Sequence, residues 1–130
     1  MITNTEVEVK EEDIDEVGHV NNSVFVSYLE KGRGHWYREA GLSFADMAEQ
    51  NLGTVVVRLD ISFQKEARLG EQLQINTKPV KIGKKSFTFE QTIINEKEEV
   101  ILEGTVINVM FDKEARKSIA IAKEIIQCFP

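Results

Sequence analysis

The 130-residue sequence is short of the residues that most often announce a special framework: it holds one cysteine, two histidines and two prolines. A lone cysteine, Cys128, can form no internal disulfide and no Cys-x-x-Cys metal site. Its place in an apolar run near the C-terminus reads as a structural thiol rather than a nucleophile. His19 and His35 stand on the wrong spacing for a His-x-x-x-His zinc site, so no metal is expected. No apolar run approaches the ~20 residues that a membrane span needs. Residues 1–4 carry no basic stretch leading into an apolar one, so no signal peptide is read and a cytoplasmic protein without membrane attachment is expected. Positive charge is in the minority too, with 16 Lys and Arg against 22 Asp and Glu and a formal net charge of -6. That balance argues against a sequence-independent nucleic-acid binder, which must neutralise phosphates. Local basic patches can still hold a phosphorylated group.

What is present is globular composition, 42% apolar and 29% charged, and enough length for a single domain over residues 1–130. The core affordable at this size is modest, so an oligomer that buries more surface is expected. Residues 5–10 alternate and read as a first strand. Asn21 or Asn22 is a natural N-cap, and Phe25, Leu29, Gly32 and Trp36 then recur at helical spacing until Gly41 stops the helix. Gly32 and Gly34 cost the helix roughly 1 kcal/mol each relative to alanine, which points to close packing on a sheet. A short helix is expected over 44–50. From Gly53 the period becomes two: Val55, Val57, Leu59, Ile61 and Phe63 face one way, and Val56, Arg58, Asp60, Ser62 and Gln64 the other. Further strands follow over 73–82, with Pro79 marking a bulge or an edge, over 87–93, and over 100–111. A closing helix is expected within 119–129. Consecutive strands joined by short polar turns imply an antiparallel sheet, and one long amphipathic helix must lie across it, giving an α+β two-layer domain.

The chemistry concentrates in residues 13–22, Asp-Ile-Asp-Glu-Val-Gly-His-Val-Asn-Asn, which run into Tyr28-Leu29-Glu30-Lys31-Gly32-Arg33. A carboxylate cluster lies just before a helix N-terminus, where free N–H groups and a positive dipole end are presented. Such N–H groups can polarise a carbonyl while a carboxylate attacks it or activates water. The same acids would equally serve as capping groups that favour the helix.

Asp-x-Asp-x-x-Gly-His-Val-Asn-Asn followed by Tyr-Leu-Glu-x-Gly-Arg resembles the signature of the 4-hydroxybenzoyl-CoA thioesterase family, which includes the YbgC-like and FadM-like acyl-CoA thioesterases. The resemblance implies a hotdog fold, a five-stranded antiparallel sheet wrapped around one long helix. It implies acyl-CoA thioester hydrolysis with no cofactor, coenzyme A being part of the substrate. It further implies at least a dimer, a homodimer or homotetramer, with the active site at the subunit interface and the paired sheets continuous. Position by position, the catalytic carboxylate is Asp15, nucleophile or general base. The backbone N–H facing the thioester carbonyl belongs to Asn22, and His19 supports catalysis or orders the loop. Glu30 is a second candidate acid, although an exposed helix glutamate is the commoner case. Phe25 stands where the family often has tyrosine, so a hydroxyl contact is missing, which bears on acyl preference. The turn holding Lys84, Lys85 and Ser86 resembles the family's turn that meets the nucleotide end of coenzyme A. An ordinary solvated hairpin would carry the same residues.

Two other motifs fail. Gly83-Lys84-Lys85-Ser86 lacks the first glycine of a P-loop. The Asp13-x-Asp15 run has Val17 at a calcium-ligand position and Val24 where a bidentate glutamate belongs. The competing functions are a hotdog protein that binds acyl-CoA without hydrolysing it, and a hydratase or dehydratase on the same fold.

Overall fold

The computed structural model describes residues 1–130. The chain forms β1 (Thr3–Glu8), one 3₁₀ turn (Glu11–Asp13), the long helix α1 (Asn22–Ala40), the short helix α2 (Phe44–Glu49), then β2 (Leu52–Phe63), β3 (Gln72–Ile82), β4 (Ser86–Ile94), β5 (Val100–Asp112), β6 (Lys117–Ser118) and α3 (Lys123–Ile126). Every strand pair is antiparallel, in the order β1-β3-β4-β5-β2, with β6 added to β5. The sheet curls around α1, the expected hotdog arrangement, with the two-residue β6 as an unforeseen sixth strand.

Helix α1 owes its bounds to two side-chain choices. Asn21 holds extended backbone and its Oδ1 accepts from the Ser23 N–H at 2.9 Å, satisfying one of the helix's orphan donors. Gly41, at φ 90°, closes the helix in the left-handed region with its N–H turned back to the Arg38 and Tyr37 carbonyls, a conformation that glycine adopts without steric cost. The buried face of α1, from Phe25 through Leu29 and Gly32 to Trp36, lies on the sheet.

The interior is divided. Around the N-terminal half of α1, Phe25, Tyr28 and Leu29 pack with Leu73, Ile75, Ile93 and Leu102. Around its C-terminal half, Trp36 and Tyr37 pack with Phe87, Phe89, Met110 and Ile121. Between the two runs a register row of Thr3, Thr77, Gln91 and Gly104 crosses the sheet. Gln91 Nε2 donates to the Leu29 carbonyl at 3.0 Å and to Thr77 Oγ1 at 2.9 Å, and Arg33 Nη1 donates to Gln91 Oε1 at 2.9 Å. Burial holds the Arg33 guanidinium below the usual arginine range, because desolvation disfavours the charged form.

Several expectations need correction. β1 begins two residues earlier than the alternation suggested, while Val9 is buried just beyond its end. The unbroken alternation of β2 fails at Val57, where the register against β5 shifts. One extra residue there exchanges faces on its N-terminal side, as a bulge must. Val56 pairs with buried Asn108, and Val55 with Val109 on the other face. The closing helix is reduced to the four residues Lys123–Ile126. The stretch before it is taken into backbone pairing instead, with Ile119 N–H on the Met110 carbonyl at 3.0 Å and Ile121 N–H on the Lys84 carbonyl at 3.1 Å. Of the bulge or edge expected at Pro79, the structure has the bulge, between Pro79 and Lys81 in an interior strand.

Candidate active site

The loop leading into α1 folds back on itself. Ile14 bridges to Val20, the Asp15 N–H reaches the His19 carbonyl at 2.8 Å, and Gly18, at φ 83°, turns the tip. Asp15 Oδ1 accepts from the Val17 N–H at 3.0 Å and the His19 N–H at 3.3 Å. The side chain is exposed, and Oδ1 alone of its oxygens is hydrogen-bonded. Asn21 N–H on the Asp13 carbonyl, at 3.5 Å, draws the loop to the helix start. Asn21 is the cap and Asn22 the first helical residue, so the Asn22 N–H has no acceptor within the helix. The loop that carries Asp15 therefore folds back toward the open N-terminus of α1.

His19 does not turn its ring to that carboxylate. Its Nε2 lies 2.6 Å from Glu66 Oε2 in the connection between β2 and β3, and Glu66 Oε1 lies 2.6 Å from Arg68 Nη2. The His19 ring thus meets Glu66, while its backbone meets Asp15. The sequence does not mark Glu66, since nothing local links it to the motif. Nor does it mark Asp13 beyond membership of the acidic run. Asp13 Oδ2 accepts from Tyr28 OH at 2.8 Å and from the Lys10 N–H at 3.1 Å. Burial, then Asp13 itself, push the Tyr28 phenol well above the usual tyrosine range. Phe25 is buried and meets Tyr28 edge-on with ring centroids 6.0 Å apart. Phe25 brings no hydroxyl to the site, and that of Tyr28, one turn later, is aimed at Asp13.

Two candidates stand apart from Asp15. Glu30 is exposed on α1, eight residues along the helix and so about 12 Å down its axis from Asn22. The Lys84, Lys85 and Ser86 turn is exposed, closed by the Gly83 N–H on the Ser86 carbonyl at 2.8 Å. It is flanked by Ile82 and Phe87, which pack at the C-terminal end of α1. The 19 residues of α1, about 28 Å of helix, separate the two ends, so a single chain does not bring the lysines and Asp15 together. No group of three or more His, Cys, Asp or Glu side chains is disposed to hold a metal ion. No helix is long and apolar enough to cross a membrane.

The profile of the thioesterase-like superfamily matches residues 9–129. The chain belongs to that superfamily. It is 28% identical over 122 residues to the long-chain acyl-CoA thioesterase FadM of Escherichia coli strain K12, covering 93% of this chain and 92% of that protein. It is 28% identical over 123 residues to the acyl-CoA thioester hydrolase YbgC of Escherichia coli O157:H7, covering 95% and 92%. Among solved structures, a 1,4-dihydroxy-2-naphthoyl-CoA thioesterase from Synechocystis superposes with a TM-score of 0.90 at 18% identity, over 98% of this chain and 94% of that one. Likeness at that identity bears on the fold: this superfamily member has the same curled sheet around a central helix.

Proposed function

We propose that this thioesterase-superfamily chain hydrolyses acyl-CoA thioesters, with Asp15 as the reacting carboxylate and the Asn22 N–H as the carbonyl donor. The observation that carries the reading is the pairing of a half-free carboxylate with an open helix N-terminus on one loop. The FadM and YbgC relatives, named as acyl-CoA thioester hydrolases, support the same substrate class. In the proposed reaction the thioester oxygen accepts from the Asn22 N–H, whose position at the positive end of α1 favours the developing negative charge. Asp15 Oδ2 either attacks the carbonyl carbon or takes a proton from the attacking water. In the first case the carbon–sulfur bond breaks to leave an Asp15–acyl anhydride that water then cleaves, freeing the carboxylate. In the second, water adds directly and the carbon–sulfur bond breaks. Either way water supplies the oxygen of the acid and the proton of the released thiol. A thioester is already an activated acyl group, so the proposed chemistry calls on no metal or cofactor.

The site is completed, in this reading, by a second copy. β2 ends the strand order and pairs only with β5. Val55, Val56, Val57, Leu59 and Phe63 are exposed along it, an apolar strand edge of the kind proteins cover. Antiparallel pairing of β2 with its own copy about a two-fold axis would reverse the long axis of the partner. It would lay the partner's Lys84 and Lys85 toward the end that carries Asp15, within reach of the phosphates of coenzyme A. The complex is then a homodimer or a tetramer built from it, working in the cytoplasm.

The test is thiol release from a panel of acyl-CoA substrates by the parent and by Asp15→Asn. The substitution keeps size and much of the hydrogen bonding but removes basicity and charge. On this reading kcat falls by about a hundredfold or more, the scale usual for acid–base groups, while substrate binding and folding survive. Parental turnover by Asp15→Asn would make Asp15 a loop residue only. Binding of acyl-CoA with no thiol released from any substrate would favour a non-hydrolytic binding protein.

A further inference from the structure

We infer that Tyr28 is a positioning residue for Asp15, acting from the second turn of α1 through the Asp13 carboxylate. The inference rests on the role given to Asp15 above. Besides the long 3.5 Å contact of the Asn21 N–H with the Asp13 carbonyl, two ties hold the reactive loop. On one side Val20 N–H meets the Ala67 carbonyl at 3.0 Å and His19 meets Glu66. Both attach the loop to the β2–β3 connection, and the side chains of that ion pair are 38% exposed each. On the other side Tyr28 OH donates to Asp13 Oδ2 at 2.8 Å. This second tie comes from α1 itself, the element that carries the Asn22 N–H.

The difference between the ties is geometrical. A carboxylate and a carbonyl donor act together only if their separation is held to a fraction of an ångström. The β2–β3 tie sets the loop against the sheet. The Tyr28 tie sets it against the donor. Tyr28 has the rigidity such a spacer needs, because it is only 6% exposed and packs edge-on against buried Phe25. Its ring is therefore fixed to the helix, and the phenol oxygen moves with the ring. Ile14 is extended at φ -100° and ψ 152°, so Asp13 and Asp15 lie two positions apart on a straight segment. A displacement of one passes to the other. The donor is held above the usual tyrosine range by burial and by Asp13, so the phenol keeps the proton that it donates. Losing the Tyr28 bond leaves the Val20 and His19 ties in place, so the loop stays folded, while only the long 3.5 Å contact of the Asn21 N–H with the Asp13 carbonyl still sets it against the helix start, and Asp15 drifts relative to Asn22.

The test is a set of variants assayed as folded protein, with circular dichroism checking that each is folded at the assay temperature. Tyr28→Phe is expected to lower kcat about tenfold with KM within about twofold, the pattern of misplacement rather than lost substrate contact. Asp13→Asn keeps an oxygen that can accept from Tyr28 OH and is expected within about threefold of the parent. Asp13→Ala should be at least as slow as Tyr28→Phe, since it also frees the Lys10 N–H, and the double variant should be no slower than Asp13→Ala alone, because the Tyr28 and Asp13 side chains act as one unit. Parental kcat in Tyr28→Phe, with Asp15→Asn inactive, would overturn the inference and leave the site intact. Multiplying losses in the double variant would overturn it too, as would a rise in KM at parental kcat. Parental activity in Asp15→Asn would remove the site and this inference with it.

Discussion

Gly32 of α1 and Ile75 of β3 approach so closely that a Cβ on the glycine would stand 2.7 Å from Ile75 Cγ2, with Gln91 Nε2 and Thr77 Oγ1 each at 3.0 Å. Ile75, Gln91 and Thr77 are all buried, so none has room to withdraw. A Cβ on Gly34, two residues on, would stand 3.0 Å from the Phe44 ring edge, and Phe44 is 42% exposed. Gly32→Ala should therefore destabilise the protein by about 1–3 kcal/mol through overpacking. Gly34→Ala should be neutral or stabilising by up to about 1 kcal/mol, because alanine is the better helix former and Phe44 can swing aside. Urea unfolding at one protein concentration separates the two. Equal losses would mean that Gly34 is held as tightly as Gly32.

The only two tyrosines, Tyr28 and Tyr37, are both pushed well above the usual tyrosine range, chiefly by burial. Thr54 stands near the Tyr37 hydroxyl without the geometry of a hydrogen bond, and the phenol is fully enclosed. The unfolded chain ionises both phenols near pH 10, while the folded chain keeps them protonated beyond that. Below about pH 10 neither state loses a tyrosine proton and these groups add no pH dependence. Above it the unfolded state holds fewer protons, so stability falls with rising pH. Phenolate absorbance should stay absent from the folded protein past pH 10 and then appear together with loss of circular dichroism. A reversible titration near pH 10 in the folded state would contradict the burial of both rings.

If Lys84 and Lys85 serve the site of the opposite copy, replacing both with alanine should raise KM chiefly, with the effect shrinking at high salt. Mixed dimers make the arrangement visible. A dimer of one Asp15→Asn chain and one Lys84→Ala/Lys85→Ala chain contains one site with both Asp15 and the lysines intact. It should show the parental KM at about half the parental kcat per dimer, since chains of a two-fold dimer exchange identical surfaces. If each chain's lysines served its own Asp15, no mixed site would be intact and the parental KM would not return.

Much of this protein could be read along the chain. The helix over residues 22–40 was legible because its cap, its glycine stop and its apolar spacing are all local. The strands were legible because the side-chain period of two is local as well. The Asp15 loop could be found because its residues are contiguous and their order is distinctive. Residues whose partners lie far away in sequence could not be read. Glu66 meets His19 from the distant β2–β3 connection, and no local pattern marks it. Asp13 looks like the idle member of an acidic pair until the fold brings Tyr28, 15 residues later, to bind it. The faces of Val55 and Val56 depended on a bulge that β5 imposes. Residues 119–121 left the expected helix because the Met110 and Lys84 carbonyls offered backbone pairing. Gly32 is the meeting point of the two kinds of information: the sequence showed a glycine at some cost to a helix, and only the sheet beneath it, with Ile75, Thr77 and Gln91 filling the space of a Cβ, decided why.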